Sequence, residues 1–271
     1  MIPEDYTPPA ITEQAQEGNA PPRRGRELRA GTATGVLLLY FASQIAGSIG
    51  AAIIGVAVAA GRGQNLQDPH QIARLVSTLM PGVILGTMVG GAVGMFIMAF
   101  VLVPEFLRDR SPTGAAWVPG EWRDAGKGLA FGLILGAVGC MVMNFLERFG
   151  DPNSAGPLTR MATSSTSGFV IWILAALVLA PLVEEPLFRG VLYGGFRRSF
   201  GVMAAGIITS AIFVLLHITE IIHFLPAILP LAALAAGALW VRLRFAAIGP
   251  AIALHIGYNA IMVLQFYREM R

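Results

Sequence analysis

The sequence predicts an all-α, polytopic membrane bundle of about seven transmembrane helices, with six to eight as the range its apolar segments allow. Composition is the first reason. Of 271 residues, 55% are hydrophobic, only 13% are charged, 32 are glycine, and the mean hydropathy is +0.66, far from soluble-domain values. The second reason is seven charge-poor stretches long enough to cross ~30 Å of hydrocarbon. The third is where the basic residues lie: 18 Arg and one Lys (Lys127) cluster at the ends of apolar runs. With a net charge of only +3, they set topology and give no nucleic-acid footprint. The one cysteine, Cys140, lies inside an apolar run and excludes a disulfide framework within one chain.

Residues 1–30 carry Pro3, Pro8, Pro9, Pro21 and Pro22 among Glu, Gln and Thr, too little apolar surface to offset the entropy of ordering them. They read as a disordered cytoplasmic tail. Arg23, Arg24, Arg26 and Arg29 then precede the first apolar run, an arrangement unlike a cleavable signal peptide, so the first span is expected to remain as an anchor. The spans run from about Thr32 to Ala60, Leu79 to Val103, Gly128 to Leu146, Gly168 to Tyr193, Val202 to Ile218, Phe224 to Trp240 and Ala246 to Phe266. Residues 31–167 thus hold amino-terminal helices, and 168–271 form the segment that carries the chemistry.

Assigning basic residues to alternating sides puts 13 on the side of the amino terminus and 6 on the other. Lys and Arg concentrate in cytoplasmic loops, so the amino terminus is expected inside an integral cell membrane, a bacterial inner membrane on the Ala/Gly/Arg-rich composition. The carboxyl terminus, Arg268 to Arg271, is expected outside. Spaced small residues mark helix contacts: Gly47, Ala51 and Gly55; Gly82, Gly86, Gly90 and Gly94; Gly128, Gly132 and Gly136. A four-residue spacing aligns them on one face, where backbones approach closely. Intramolecular packing is the expected use, homo-oligomerisation the alternative, and the oligomeric state stays open.

The chemistry begins in the fourth span, at Pro181-Leu182-Val183-Glu184-Glu185-Pro186-Leu187-Phe188-Arg189-Gly190. Glu185 and Arg189 are four apart and can neutralise each other on one helical face. Glu184 is turned about 100° away and left free to act elsewhere. Pro186 removes a helical donor and disfavours the helical region for Glu185, so an irregular turn is expected, with carbonyls that need water or a neighbouring helix. Alone, these residues fit equally well as solvated charges opening a loop that continues to Arg197 and Arg198.

Two histidines in later spans shift that balance. His217 ends the run Ile207 to Leu216, and His255 lies about nine residues inside the last span, with no charge nearby in sequence. At 1.5 Å per residue from the cytoplasmic ends, Glu184 lies ~14 Å deep, His217 ~22 Å and His255 ~14 Å, within about two helical turns of one another. Asn259 shares a face with His255, where its amide can orient the imidazole, donate to a developing oxyanion, or simply bond a neighbouring helix.

Three ordered motifs, Glu184-Glu185-x-x-x-Arg189, Phe213-x-x-x-His217 and His255-x-x-x-Asn259, resemble those of the CPBP family of intramembrane proteases, which takes in type II CAAX prenyl proteases, Abi proteins and relatives similar to lysostaphin-resistance protein A. The likeness covers about residues 168–266. It implies an endopeptidase in which Glu184 activates water, His217 and His255 hold or polarise that water and the scissile carbonyl, and Asn259 supports the oxyanion. Glu185, Arg189 and Phe213 would shape the site. The residues permit this, since desolvation makes a carboxylate a better base.

Two His and one Glu are also a catalytic zinc set. No His-Glu-x-x-His helix is present, and three spans would have to converge within ~2.2 Å of one ion. The cofactor expectation is therefore none, with zinc held by Glu184, His217 and His255 as the alternative. His70 and His223 fall in predicted loops as solvated bystanders. The expected partners are the bilayer and a membrane-associated or lipid-modified peptide or protein. Competing readings are a non-catalytic partner or immunity protein on the same fold, and a proton-coupled transporter, which would distribute charges along a path and repeat a half.

Overall fold

The computed structural model describes residues 28–65, 67–146, 148, 162–163 and 165–269. The predicted tail, with Arg23, Arg24 and Arg26, lies outside the described residues apart from its last three positions, as does Arg271. Among the described residues the chain is all-α, in the order α1 Ala30–Gly61, α2 Pro69–Leu102, a short α3 Pro104–Leu107, α4 Trp122–Leu146, α5 Thr166–Phe200, α6 Val202–Leu215, a short α7 Ile218–Ile221, α8 Ile228–Phe245 and α9 Gly249–Glu269.

Helices occupy all seven predicted positions, and five are long and apolar enough to cross a membrane: α1, Thr78–Leu102 of α2, α4, α5 and Leu225–Phe245, which ends in α8. The other two are special. α6 has 14 residues, about 21 Å of rise, short of the hydrocarbon thickness. α9 has 21 residues, but His255, Asn259 and Gln265 interrupt its apolar surface. α5, expected to stop near Tyr193, continues to Phe200 and carries Arg197 and Arg198 in its last turn. Gly201, at φ 82, then reverses the chain into α6.

The spaced glycines serve intramolecular packing. α1 and α2 form an antiparallel hairpin in which a Cβ on Gly90 would stand 2.5 Å from the Ser43 carbonyl oxygen and 2.9 Å from the Gly47 Cα. On Gly86 it would meet the Ala51 methyl at 2.6 Å; Gly82 faces open space. α4 and α9 run parallel, with Gly128, Gly132 and Gly136 seated in turn against the backbones of Pro250, Leu254 and Tyr258. Backbone contact of this kind supplies dispersion energy where lipid removes any hydrophobic drive.

One end of the bundle gathers the start of α1, the loop before α4, the end of α5 and the α8–α9 turn. Ala30 N–H donates to Ser199 Oγ at 3.0 Å, and Arg110 Nε to the Ala246 carbonyl at 3.0 Å. Arg29, Arg108, Arg110, Arg123, Lys127, Arg197, Arg198 and Arg244 lie toward this end, as the alternating assignment predicts.

Candidate active site

α5 contains two π-helical turns, Ala175–Leu179 and Pro186–Leu192, which flank Glu184 and Glu185. The second is the irregular turn expected from Pro186. π turns leave carbonyls outside the regular ladder and recur at functional sites. Here neighbouring elements take those carbonyls: Asn259 Nδ2 donates to Ala176 O at 2.7 Å, Trp117 Nε1 to Pro186 O at 3.0 Å and Arg242 Nε to Arg189 O at 3.2 Å.

Glu185 is fully buried, and its Oε1 lies 3.2 Å from Nη1 of Arg189, the i+4 pair expected from the sequence. Arg189 also donates through Nη2 to the Ala235 carbonyl at 3.3 Å, and its guanidinium carbon stands 4.2 Å from the Phe213 ring centroid. A buried pair survives only when further bonds and π contacts compensate its desolvation. The same Glu185 oxygen accepts from His255 Nδ1 at 2.8 Å. In the neutral ring this leaves Nε2 as a free acceptor.

His217 follows the last turn of α6 and donates from Nδ1 to the Phe213 carbonyl at 3.0 Å, so its Nε2 is likewise left free. The buried Phe213 ring neighbours both imidazoles, 5.0 Å from that of His217 and 6.1 Å from that of His255, and meets Phe188 edge-on at 5.4 Å. Phe213 is thus an apolar wall shared by both histidines.

Glu184 Oε2 is buried without a hydrogen-bond partner, as are Glu185 Oε2 and Arg189 Nη1, whose contact with Glu185 lies outside hydrogen-bond geometry. Turned away from the Glu185 pair, Glu184 keeps an uncommitted oxygen. Asn259 spends one amide hydrogen on the interhelical bond to Ala176 and retains a second.

Residues that sequence reasoning missed are Trp117 and Arg242. Arg242 was assigned to a loop, yet α8 buries it to 1% exposure, and its Nη2 also donates to the Gly114 carbonyl at 2.6 Å. An Arg inside an otherwise apolar run was the available signal. His70 was placed in a loop but sits exposed in the first turn of α2, which Asp68 caps by accepting from its backbone N–H at 2.9 Å. His223 donates to the Thr219 carbonyl at 2.6 Å, apart from the site.

No set of three or more His, Cys, Asp or Glu side chains among the described residues is disposed to hold a metal ion. Glu184, His217 and His255 are thus not disposed as a common cage for the zinc alternative. Residues 166–261 match the Rce1-like family, described as type II CAAX prenyl endopeptidase Rce1-like. Over this segment the chain is similar to that family. No curated protein and no solved structure matches the chain. The Rce1-like segment opens at the first residue of α5 and closes two residues beyond Asn259, and so holds every helix that supplies a motif residue. The match supports, in general class, an intramembrane CAAX-type endopeptidase.

Proposed function

We propose that this endopeptidase hydrolyses a peptide bond in a membrane-associated or lipid-modified peptide, with Glu184 as the base. Glu184 takes a proton from water, and the resulting hydroxide attacks the scissile carbonyl carbon. The water's other hydrogen is shared by the free Nε2 atoms of His217 and His255, which orient it. As negative charge builds on the carbonyl oxygen, the remaining Asn259 amide hydrogen donates to it. Glu185 holds the His255 ring in the tautomer and orientation that leave Nε2 free, the role a carboxylate plays behind a catalytic histidine. Glu184 returns its proton to the leaving amine, which completes the cleavage.

The observation that carries this reading is the His255–Glu185 contact, which joins α9 to α5 beside the ring wall that Phe213 shares with His217. The unpartnered Glu184 oxygen in the same helix supports the assignment of the base. No step needs a metal. The gathering of basic residues at the amino-terminal end of α1 supports an amino terminus on the cytoplasmic side of a cell membrane. The test is turnover by protein in lipid nanodiscs, using an internally quenched peptide with an S-farnesylated Cys-aliphatic-aliphatic-X end, and leader and membrane-segment peptides beside it. Wild type cleaves and Glu184→Gln does not; undiminished turnover by Glu184→Gln overturns the role of Glu184.

A further inference from the structure

The Pro186–Leu192 turn places both Glu185 and Arg189, and two of its carbonyls are held from outside α5. Trp117, in the loop between α3 and α4, donates from its indole to Pro186 O at 3.0 Å. Arg242, from the end of α8, donates to Arg189 O at 3.2 Å and, through Nη2, to Gly114 O at 2.6 Å, tying the turn and the loop together.

The loop itself is braced. Ala115 N–H donates to Phe106 O at 2.9 Å, Ala116 N–H to Asp109 O at 2.9 Å, and the Trp117 ring stands edge-on to Phe96 and Phe100 of α2 at 5.7 and 6.0 Å. The turn accepts the loop at Gly190, where a Cβ would stand 2.6 Å from Trp117 Nε1 and 3.0 Å from Ala115 O. Loop, turn and α8 therefore form one interlocked unit behind Glu185.

We infer that Trp117 and Arg242 are positioning residues for catalysis: by holding Pro186 O and Arg189 O they keep the π turn in the register that lets one oxygen of Glu185 meet both Arg189 and His255. This rests on the protease reading. Trp117 lies outside the Rce1-like segment, so the amino-terminal part of the chain helps set the site's geometry. If the turn shifts, the Arg189 guanidinium leaves the Phe213 face, Glu185 loses an ion-pair partner, and the orientation of His255 is no longer defined. Such a displacement slows the chemical step and leaves peptide binding intact.

Trp117→Phe tests this, because it deletes the indole donor and keeps a ring against Phe96 and Phe100. On the farnesylated quenched peptide in nanodiscs, kcat is expected to fall about tenfold with KM within about twofold of wild type. Amide exchange across residues 187–192 is expected to quicken at least about tenfold, with an unchanged melting midpoint. Arg242→Lys, which keeps the charge with fewer donors, should fall between wild type and Arg242→Met. Wild-type kcat and exchange in Trp117→Phe overturn the proposal, as does a kcat loss that only tracks a lost folded fraction. If wild type does not cleave the probe while exchange in Trp117→Phe still quickens, the holding role stands and the substrate reading fails; unchanged exchange overturns the holding role.

Discussion

Nδ1 of His255 lies 2.8 Å from Oε1 of Glu185, a bond between two buried side chains 70 residues apart. The same oxygen faces Arg189 at 3.2 Å, so one carboxylate serves a cation on its own helix and an imidazole on α9. Glu185→Ala should therefore strand both partners. Removing one member of a buried pair costs about 3–5 kcal/mol, and denaturation in detergent micelles should read a loss of that size. Glu185→Gln, which can still accept from His255 but carries no charge for Arg189, should lose less stability and still lose turnover.

Glu184 makes no such pair, and its substitution should separate chemistry from folding. Glu184→Gln is expected to keep the wild-type melting curve and lose at least about 100-fold in turnover, the scale of a missing general base. His217→Ala and His255→Ala should also abolish cleavage, with His255→Ala additionally destabilising because Glu185 loses a donor.

Gly190 should tolerate no side chain. An added methyl on Gly190→Ala meets the Trp117 indole nitrogen at 2.6 Å and the Ala115 carbonyl at 3.0 Å. Overpacking of this kind costs about 1–3 kcal/mol. Turnover should drop with the melting temperature, and Trp117→Leu in the same chain should restore part of the stability and none of the activity.

The α1–α2 hairpin depends on bare backbone in the same way. Gly90→Leu would push a side chain into the Ser43 carbonyl and Gly47, separating the two helices. Thermal denaturation in detergent micelles should show Gly90→Leu melting below the parent protein.

The disposition of the site residues makes a prediction about metals. With no three-ligand cage among the described residues, cleavage should survive a strong chelator. Full loss of turnover after chelation, restored by zinc, would refute the metal-free mechanism.

Much of the site was legible before any coordinates, and the reason is local. The Glu185–Arg189 pair follows from four-residue spacing on one helix, and the irregular turn from the missing donor of Pro186. Both appear in the structure. Trp117 was not legible, because an indole in a loop between spans gives no periodic signal of which carbonyl it will reach. Arg242 was mistaken for a loop charge, since a count by hydropathy cannot distinguish a cation at a helix end from one buried against the carbonyls of Arg189 and Gly114.

The sequence by itself determined the helices, their apolar lengths, the glycine faces and the candidates for the reactive residues, because hydropathy, spacing and charge act within a few turns of chain. Only the tertiary structure decided that Glu185 holds His255, that Phe213 neighbours both imidazoles, and that Trp117 and Arg242 grip the turn behind them. Those choices depend on which backbones can approach closely once small residues let the helices pack. That is a property of pairs of faces, and no single segment contains it.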